Sequence, residues 1–286
     1  MSAVMMSSYA RYRQVVTELM SGEEQLPSLP ALTLEIRKAL RSPDISLEVL
    51  SKLVSRDPAL AALLIKYSSS PLNRTRRGPK TLKDVMQVLG VGQVDRITMV
   101  HSIQSLFTLH SAAHKKLFLE AWERLILQAC ICAFLASRAS HIQPEQALLA
   151  SLMSELGSLA ILSAFKEDAV PSRELYLELC REYSKSLGII LLRKWAVDAE
   201  LVEIVRHSGD WSERSTDYHM ELIDLVNLAR YHRLKGFDHV SDLPPLQSLT
   251  GFGKLLPPYN QLDINGGLQL ISVHRQEIDA LADMLR

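Results

Sequence analysis

The 286-residue chain is 47% hydrophobic and carries 32 basic against 32 acidic residues, a globular composition whose zero net charge excludes a global field for nucleic acid or an anionic membrane. No apolar run approaches the roughly 20 residues that span a bilayer, and the N-terminus lacks the cationic start and apolar stretch of a secretory signal, so the expected location is the cytoplasm. Cys130, Cys132 and Cys180 lack paired metal spacing and fit a reducing compartment, where thiols serve as small apolar groups.

Helical periodicity dominates, and alternating strand-like runs are hard to find, so the fold class is all-α. A first helix puts Tyr9, Tyr12, Val16 and Leu19 on one face and stops at Ser21-Gly22. LPSLP at 26–30 leads into a helix with Leu29, Leu32, Ile36 and Leu40 at three- and four-residue spacing, ended by Ser42-Pro43. Ser46 is an N-cap for the stripe Leu47, Leu50 and Val54, and Asp57-Pro58 caps and opens a helix bearing Leu60, Leu63, Leu64 and Tyr67. Thr81 caps a helix with Leu82, Val85 and Leu89, closed by Gly90.

From about residue 112 the helices lengthen, first through Phe118, Trp122, Leu125 and Cys132, then through Leu148, Leu152, Leu159 and Ile161. Others follow through Leu175 to Leu191, Leu201 to Val205, and Leu222 to Leu228. Between Gly236 and Gly267 nine of 32 positions are glycine or proline, so this stretch is expected to wrap the surface before a final amphipathic helix with Ile271, Ile278, Leu281 and Leu285. The division expected is a helix at 1–21, an N-terminal helical part at 22–110 and a bundle with its C-terminal wrap and helix at 111–286, the second part packed on the third.

The ordered set LPSLP at 26–30, Ser42-Pro43-Asp44, SRDPALAALLIKY at 55–67, Leu89-Gly90, Trp122, ALLASLMSELGSLAIL at 147–162, SLGIILLRKW at 186–195, IVRHS at 204–208 and LVNLA at 225–229 resembles the HDOD family over about residues 22–235. The resemblance implies a helical N-terminal part on an HD-hydrolase-like bundle and a role in bacterial signal transduction. One departure is Ser69-Ser70 where the family commonly has an Asn-Ser pair; a hydroxyl cannot reproduce a two-sided carboxamide bridge.

HD hydrolases, to which the family looks related, hold divalent metal with histidine, a His-Asp pair and a late aspartate. Imidazole and carboxylate suit that task because both offer lone pairs to the ion. By the resemblance those positions here are Arg124, Ser154-Glu155 and Arg230, a further histidine position is Ser184, and only His207 survives, followed by Ser208. Guanidinium groups stay protonated and cannot ligate, and Ser154 offers a weak neutral oxygen, so neither metal nor cofactor is expected. Two readings of the altered pocket stand open: an ion-pair network of Arg124, Arg230 and Glu155, or arginines whose heads reach solvent.

Other candidates stay beside simpler readings. Arg74, Arg76, Arg77, Lys80 and Lys83 put five cations into ten residues, an anion-binding loop or only a solvated one, since no aromatic residue is there for base stacking. Arg206 with His207 could meet a phosphate or be solvated at a helix end. His110 and His114, four apart, lack a third metal partner and read as surface imidazoles, while Cys130 and Cys132 point to different helix faces and read as core. Neither a phosphate-binding G-x-x-x-x-G-K loop nor a nucleophile elbow is present. The expected function is a noncatalytic, non-enzymatic regulatory module acting through a signalling or regulatory protein partner. The alternatives are a small-anion or nucleotide sensor using the altered pocket and, behind it, a residual metal-dependent phosphohydrolase; membrane and nucleic-acid partners are not expected.

Overall fold

The computed structural model describes residues 3–22, 26–42, 44–69, 79–106, 112–165, 170–211, 218–236, 240 and 242–285. Arg74, Arg76, Arg77, Ser70 and His110 lie outside them. Among the described residues the only β feature is a single antiparallel bridge between Leu262 and Leu268. The chain forms two compact units, Ser28–Leu106 with Asp283–Arg286, and Met1–Pro27 with Phe107–Ala282.

The smaller unit is built from short capped helices. After α1 (Ala3–Ser21), which belongs to the larger unit, come α2 (Ala31–Leu40), α3 (Leu47–Val54), α4 (Pro58–Ser68) and α5 (Leu82–Leu106). The caps sit where local chemistry places them. Val49 N–H donates to Ser46 Oγ at 3.2 Å, and Ala59 and Leu60 N–H both donate to Asp57 Oδ1 at 3.0 Å. Asp84 N–H donates to Thr81 Oγ1 at 3.1 Å while the Asp84 carboxylate accepts from Thr81 N–H at 2.9 Å, a reciprocal cap. Gly90, at φ +75°, breaks α5 as expected, but the chain re-enters a helix immediately. Ile36, Leu50, Val54, Leu60, Leu64 and Val85 are buried as their spacing requires.

The larger unit contains α1, α6 (Ala112–Ala139), α7 (Pro144–Ser154), α8 (Leu156–Ser163), α9 (Arg173–Lys194), α10 (Ala199–His207) and α11 (Leu222–Gly236). The C-terminal stretch makes a short 3₁₀ turn at Leu246–Ser248, α12 (Thr250–Gly253), α13 (Gln269–Val273) and α14 (Arg275–Leu285), so the expected last helix is divided at His274. Val16 and Leu19 of α1 are buried, Tyr12 meets Phe165 edge-on at 5.0 Å, and Arg13 Nε donates to the Tyr183 hydroxyl at 2.6 Å. Trp195 Nε1 donates to the Pro27 carbonyl at 2.9 Å, anchoring the start of the LPSLP run.

Three helices form the centre. Positions 124–136 of α6 are buried without interruption, as are 147–154 of α7 and 156–162 of α8, so these stretches are enclosed all round and lack an exposed face. Among the described residues no single helix is long and apolar enough to cross a membrane. The single helix expected over 148–161 is two, divided at Glu155, whose φ of −112° and ψ of 5° end α7. α8 then crosses α9 at a glycine contact: a Cβ on Gly157 would stand 1.8 Å from the Ser184 carbonyl oxygen and 2.8 Å from Gly188 N. Only glycine permits that approach, and it brings the α9 face with Tyr176, Cys180 and Ser184 to the α7–α8 break.

Candidate functional site

Glu155 projects from the break toward α11. Its Oε1 accepts a short hydrogen bond from Arg230 Nη1 and lies 3.7 Å from Arg233 Nη2. Arg230 and Arg233, three residues apart, share one face of α11 and converge on this carboxylate. All three side chains are largely removed from water, with 12% of Glu155, 22% of Arg230 and 7% of Arg233 exposed. Burial by itself would raise the Glu155 pKa; Arg230, Arg233 and Arg124 together outweigh it and hold the carboxyl below its ordinary value. The structure pairs Glu155 with Arg230, as the ion-pair reading of the altered pocket has it, and with Arg233, which the sequence reading did not single out, whereas Arg124 makes no ion pair within 4 Å among the described residues.

The network continues inward. Arg233 Nε donates to Gln128 Oε1 at 2.8 Å, and Gln128 Nε2 donates to Ser154 Oγ at 3.2 Å and Ser151 Oγ at 3.3 Å. Ser154 in turn donates to the Ser151 carbonyl at 2.7 Å, so it is committed to a buried chain of hydrogen bonds. Gln128 also escaped the sequence reading; the signal available was its place one helical turn after Arg124.

Arg124 behaves differently. Although the residue is only 6% exposed, it makes no hydrogen bond and no ion pair within 4 Å among the described residues. Its guanidinium carbon stands over the Tyr176 ring at 5.9 Å. Tyr176 donates to the Ser158 carbonyl at 3.0 Å, and burial first, then Cys180, raises its pKa well above the ordinary value. Burial likewise pushes the Cys180 thiol up to about 12, so it stays protonated.

These groups wall a cavity of about 510 Å³ within the larger unit. Arg124, Arg173, Arg181, Arg230 and Arg233 line it, with Glu155 as the single lining carboxylate and Ser184 at the α9 side. Arg173 is 3.8 Å from Glu120.

His207 is not part of this wall. It ends α10 and lies 3.6 Å from both Glu203 and Asp210, facing a separate hollow of about 380 Å³ lined by Glu200, Glu203, Asp210, Glu221 and Asp224. The residue that turns inward is Ser208, fully buried, whose Oγ accepts from Arg230 Nη1 at 2.7 Å. The expectation that His207 shares the arginine pocket is corrected by the helix end: Ser208 has left α10 at ψ 122°, which aims neighbouring side chains to different sides. Arg206 pairs with Glu203 at 3.1 Å and stays on the outer face. His114, expected at the surface, is 4% exposed, with Nε2 2.7 Å from the Phe165 carbonyl oxygen, because Phe165 closes over the start of α6. Cys130 and Cys132 are core residues, and Lys80 is exposed.

The donor set does not fit a divalent metal. The one carboxylate at the inherited positions is already bound by two guanidinium groups, and no group of three or more His, Cys, Asp or Glu suited to a metal occurs among the described residues.

An all-helical unit with a central α6–α8 layer and a polar site facing α9 and α11 is the architecture of HD-type helical bundles. The HDOD domain family matches residues 26–210, and the chain belongs to that family. Similar solved structures include a provisionally named metal-dependent phosphohydrolase from Shewanella amazonensis SB2B, 18% identical, TM-score 0.74, over 97% of this chain and 100% of that one. Another is a provisionally named signal transduction protein from Marinobacter aquaeolei VT8, 19% identical, TM-score 0.63, over 97% of this chain and 66% of that one. An uncharacterised protein of Treponema pallidum (strain Nichols) is 24% identical over 222 residues, 72% of this chain; the chain spans 42% of that curated relative's length.

Proposed function

We propose that the protein is a noncatalytic bacterial regulatory module of the HDOD family that acts through contacts with a signalling protein. The observation that carries this reading is the ion pair of Glu155 with Arg230 and Arg233: the carboxylate at an inherited ligand position is consumed by cations that repel a metal. Unit like charges about 4 Å apart repel by roughly 4 kcal/mol at an effective dielectric near 20, and a divalent ion doubles that. The signal-transduction name carried by the Marinobacter protein agrees with the regulatory part.

Elemental analysis of purified protein, with assays on phosphodiesters and nucleotides, tests it. The expected result is no stoichiometric transition metal and no turnover. Hydrolysis that a chelator abolishes and manganese restores would overturn the reading. A second reading, a sensor of small anions, is favoured by the excess of arginine over carboxylate in the cavity wall.

A further inference from the structure

We infer that the arginine-lined cavity of the larger unit is a binding site for a phosphorylated small molecule bearing at least two negative charges, with Arg124 as its central anion-binding residue. The inference rests on the noncatalytic reading, since a pocket that activated water would consume a phosphate ester rather than hold it.

Charge is the first argument. Five arginines line the wall against one lining carboxylate, and of these Arg173 stands 3.8 Å from Glu120. A protein that only needed to replace a lost ion with an internal pair would be complete with Glu155 between Arg230 and Arg233. Arg181, and Arg124, which acts on Glu155 only through space without a direct pair, go beyond that requirement. A phosphate dianion or diphosphate suits such an excess of arginine over lining carboxylate better than a monoanion does.

Arg124 is the second and stronger argument. It stands at the start of the uninterrupted buried stretch of α6, 6% exposed, in the cavity wall, without a hydrogen bond or close ion pair among the described residues. Leaving a guanidinium group in such a place costs stability, and this cost is met when an anion enters. Tyr176 engages it through the ring, so its N–H donors are not consumed by that contact and remain suited to a forked pair of hydrogen bonds to phosphate oxygens.

Size and lining give the rest of the ligand. About 510 Å³ lies within the roughly 300–1,000 Å³ range of small-molecule sites, more than a lone phosphate needs. Leu125, Leu177, Leu234 and Leu243, with the Trp211 ring, supply apolar wall for an organic portion. The cavity chemistry is shared by a free diphosphate and a nucleoside diphosphate, and the probes must separate them.

The test is calorimetric titration of the full chain in excess chelator with inorganic phosphate, inorganic pyrophosphate, ADP and adenosine. Saturable binding of pyrophosphate or ADP with Kd below about 1 mM, and none of adenosine, is expected. ADP binding more tightly than pyrophosphate assigns the organic portion to the apolar wall; the reverse order assigns the site to diphosphate alone, and either supports the site. Arg124→Met is expected to weaken binding by at least about ten- to a hundredfold, since its charged hydrogen bonds to the phosphate are lost, without lowering the melting temperature of the ligand-free protein. Should that variant fail to fold, the exposed-side variant Arg181→Glu is expected to weaken the same probes.

Absence of saturable binding of both pyrophosphate and ADP, or binding that survives Arg124→Met unchanged, overturns the inference. Phosphate release from ADP with manganese is scored separately. Turnover would remove the noncatalytic reading while leaving the binding result to stand, and binding failure without turnover would remove only the site.

Discussion

Removing the Glu155 carboxylate is the most direct perturbation of the altered pocket. In Glu155→Ala, Arg230 and Arg233 lose their common partner at positions where 22% and 7% of their side chains meet solvent. At the 3.7 Å separation of Arg233 and an effective dielectric near 20, the Coulomb attraction forgone is about 4 kcal/mol for that pair alone. Desolvation offsets part of any such gain, yet stripping one partner from a buried pair typically costs roughly 3–5 kcal/mol because a buried cation is left unmatched. For a unit of this size each kcal/mol moves the melting temperature by about 2–4 °C, so a fall of roughly 6–20 °C is expected by circular dichroism at pH 7.

Glu155→Gln preserves shape and separates charge from volume. Because the folded pKa of Glu155 lies below its ordinary 4.5, its stabilisation is complete above about pH 4.5 and disappears as pH falls through the folded value, where parent and Glu155→Gln should converge. A loss of about 1 kcal/mol or less at pH 7, the size seen for exposed pairs, would refute the buried-network argument.

Two further outcomes follow from the same unit. His232 accepts from Leu268 N–H at Nε2 and contacts the Leu228 carbonyl through Nδ1, each at 2.8 Å, and burial lowers its pKa from 6.5 to about 4. The unfolded chain therefore takes up a proton first, so stability should fall between pH 6.5 and 4 by up to about 3 kcal/mol; a His232→Gln variant with the same pH slope in urea titrations would count against this. Gly157→Ala should cost on the order of 3 kcal/mol or more, since its Cβ would meet the Ser184 carbonyl at 1.8 Å and force α8 from α9. Near-parental denaturant midpoints would show that the crossing is looser than described.

The sequence by itself determined what depends on neighbours a few residues away. The caps at Ser46, Asp57 and Thr81, the stop at Gly90 and the stripes of α2–α4 are local competitions for backbone hydrogen bonds and apolar cover, and they lie where the pattern put them. The meeting of Glu155 with Arg230 was also legible, because both stand at positions that the family resemblance brings to one centre.

Tertiary structure decided the remainder. Positions 147–154 of α7 and 156–162 of α8 are buried without interruption, so their periodicity has no exposed face to mark the break at Glu155. Gln128 and Arg233 joined the network only once helices far apart in sequence were packed together. The turn after α10 sent His207 to one hollow and Ser208 to the other, and the closure of Phe165 buried His114. Spacing along a chain specifies which side chains share a helix face; which other helix that face meets is set by packing across the unit, and that is where the chemistry of the pocket was decided.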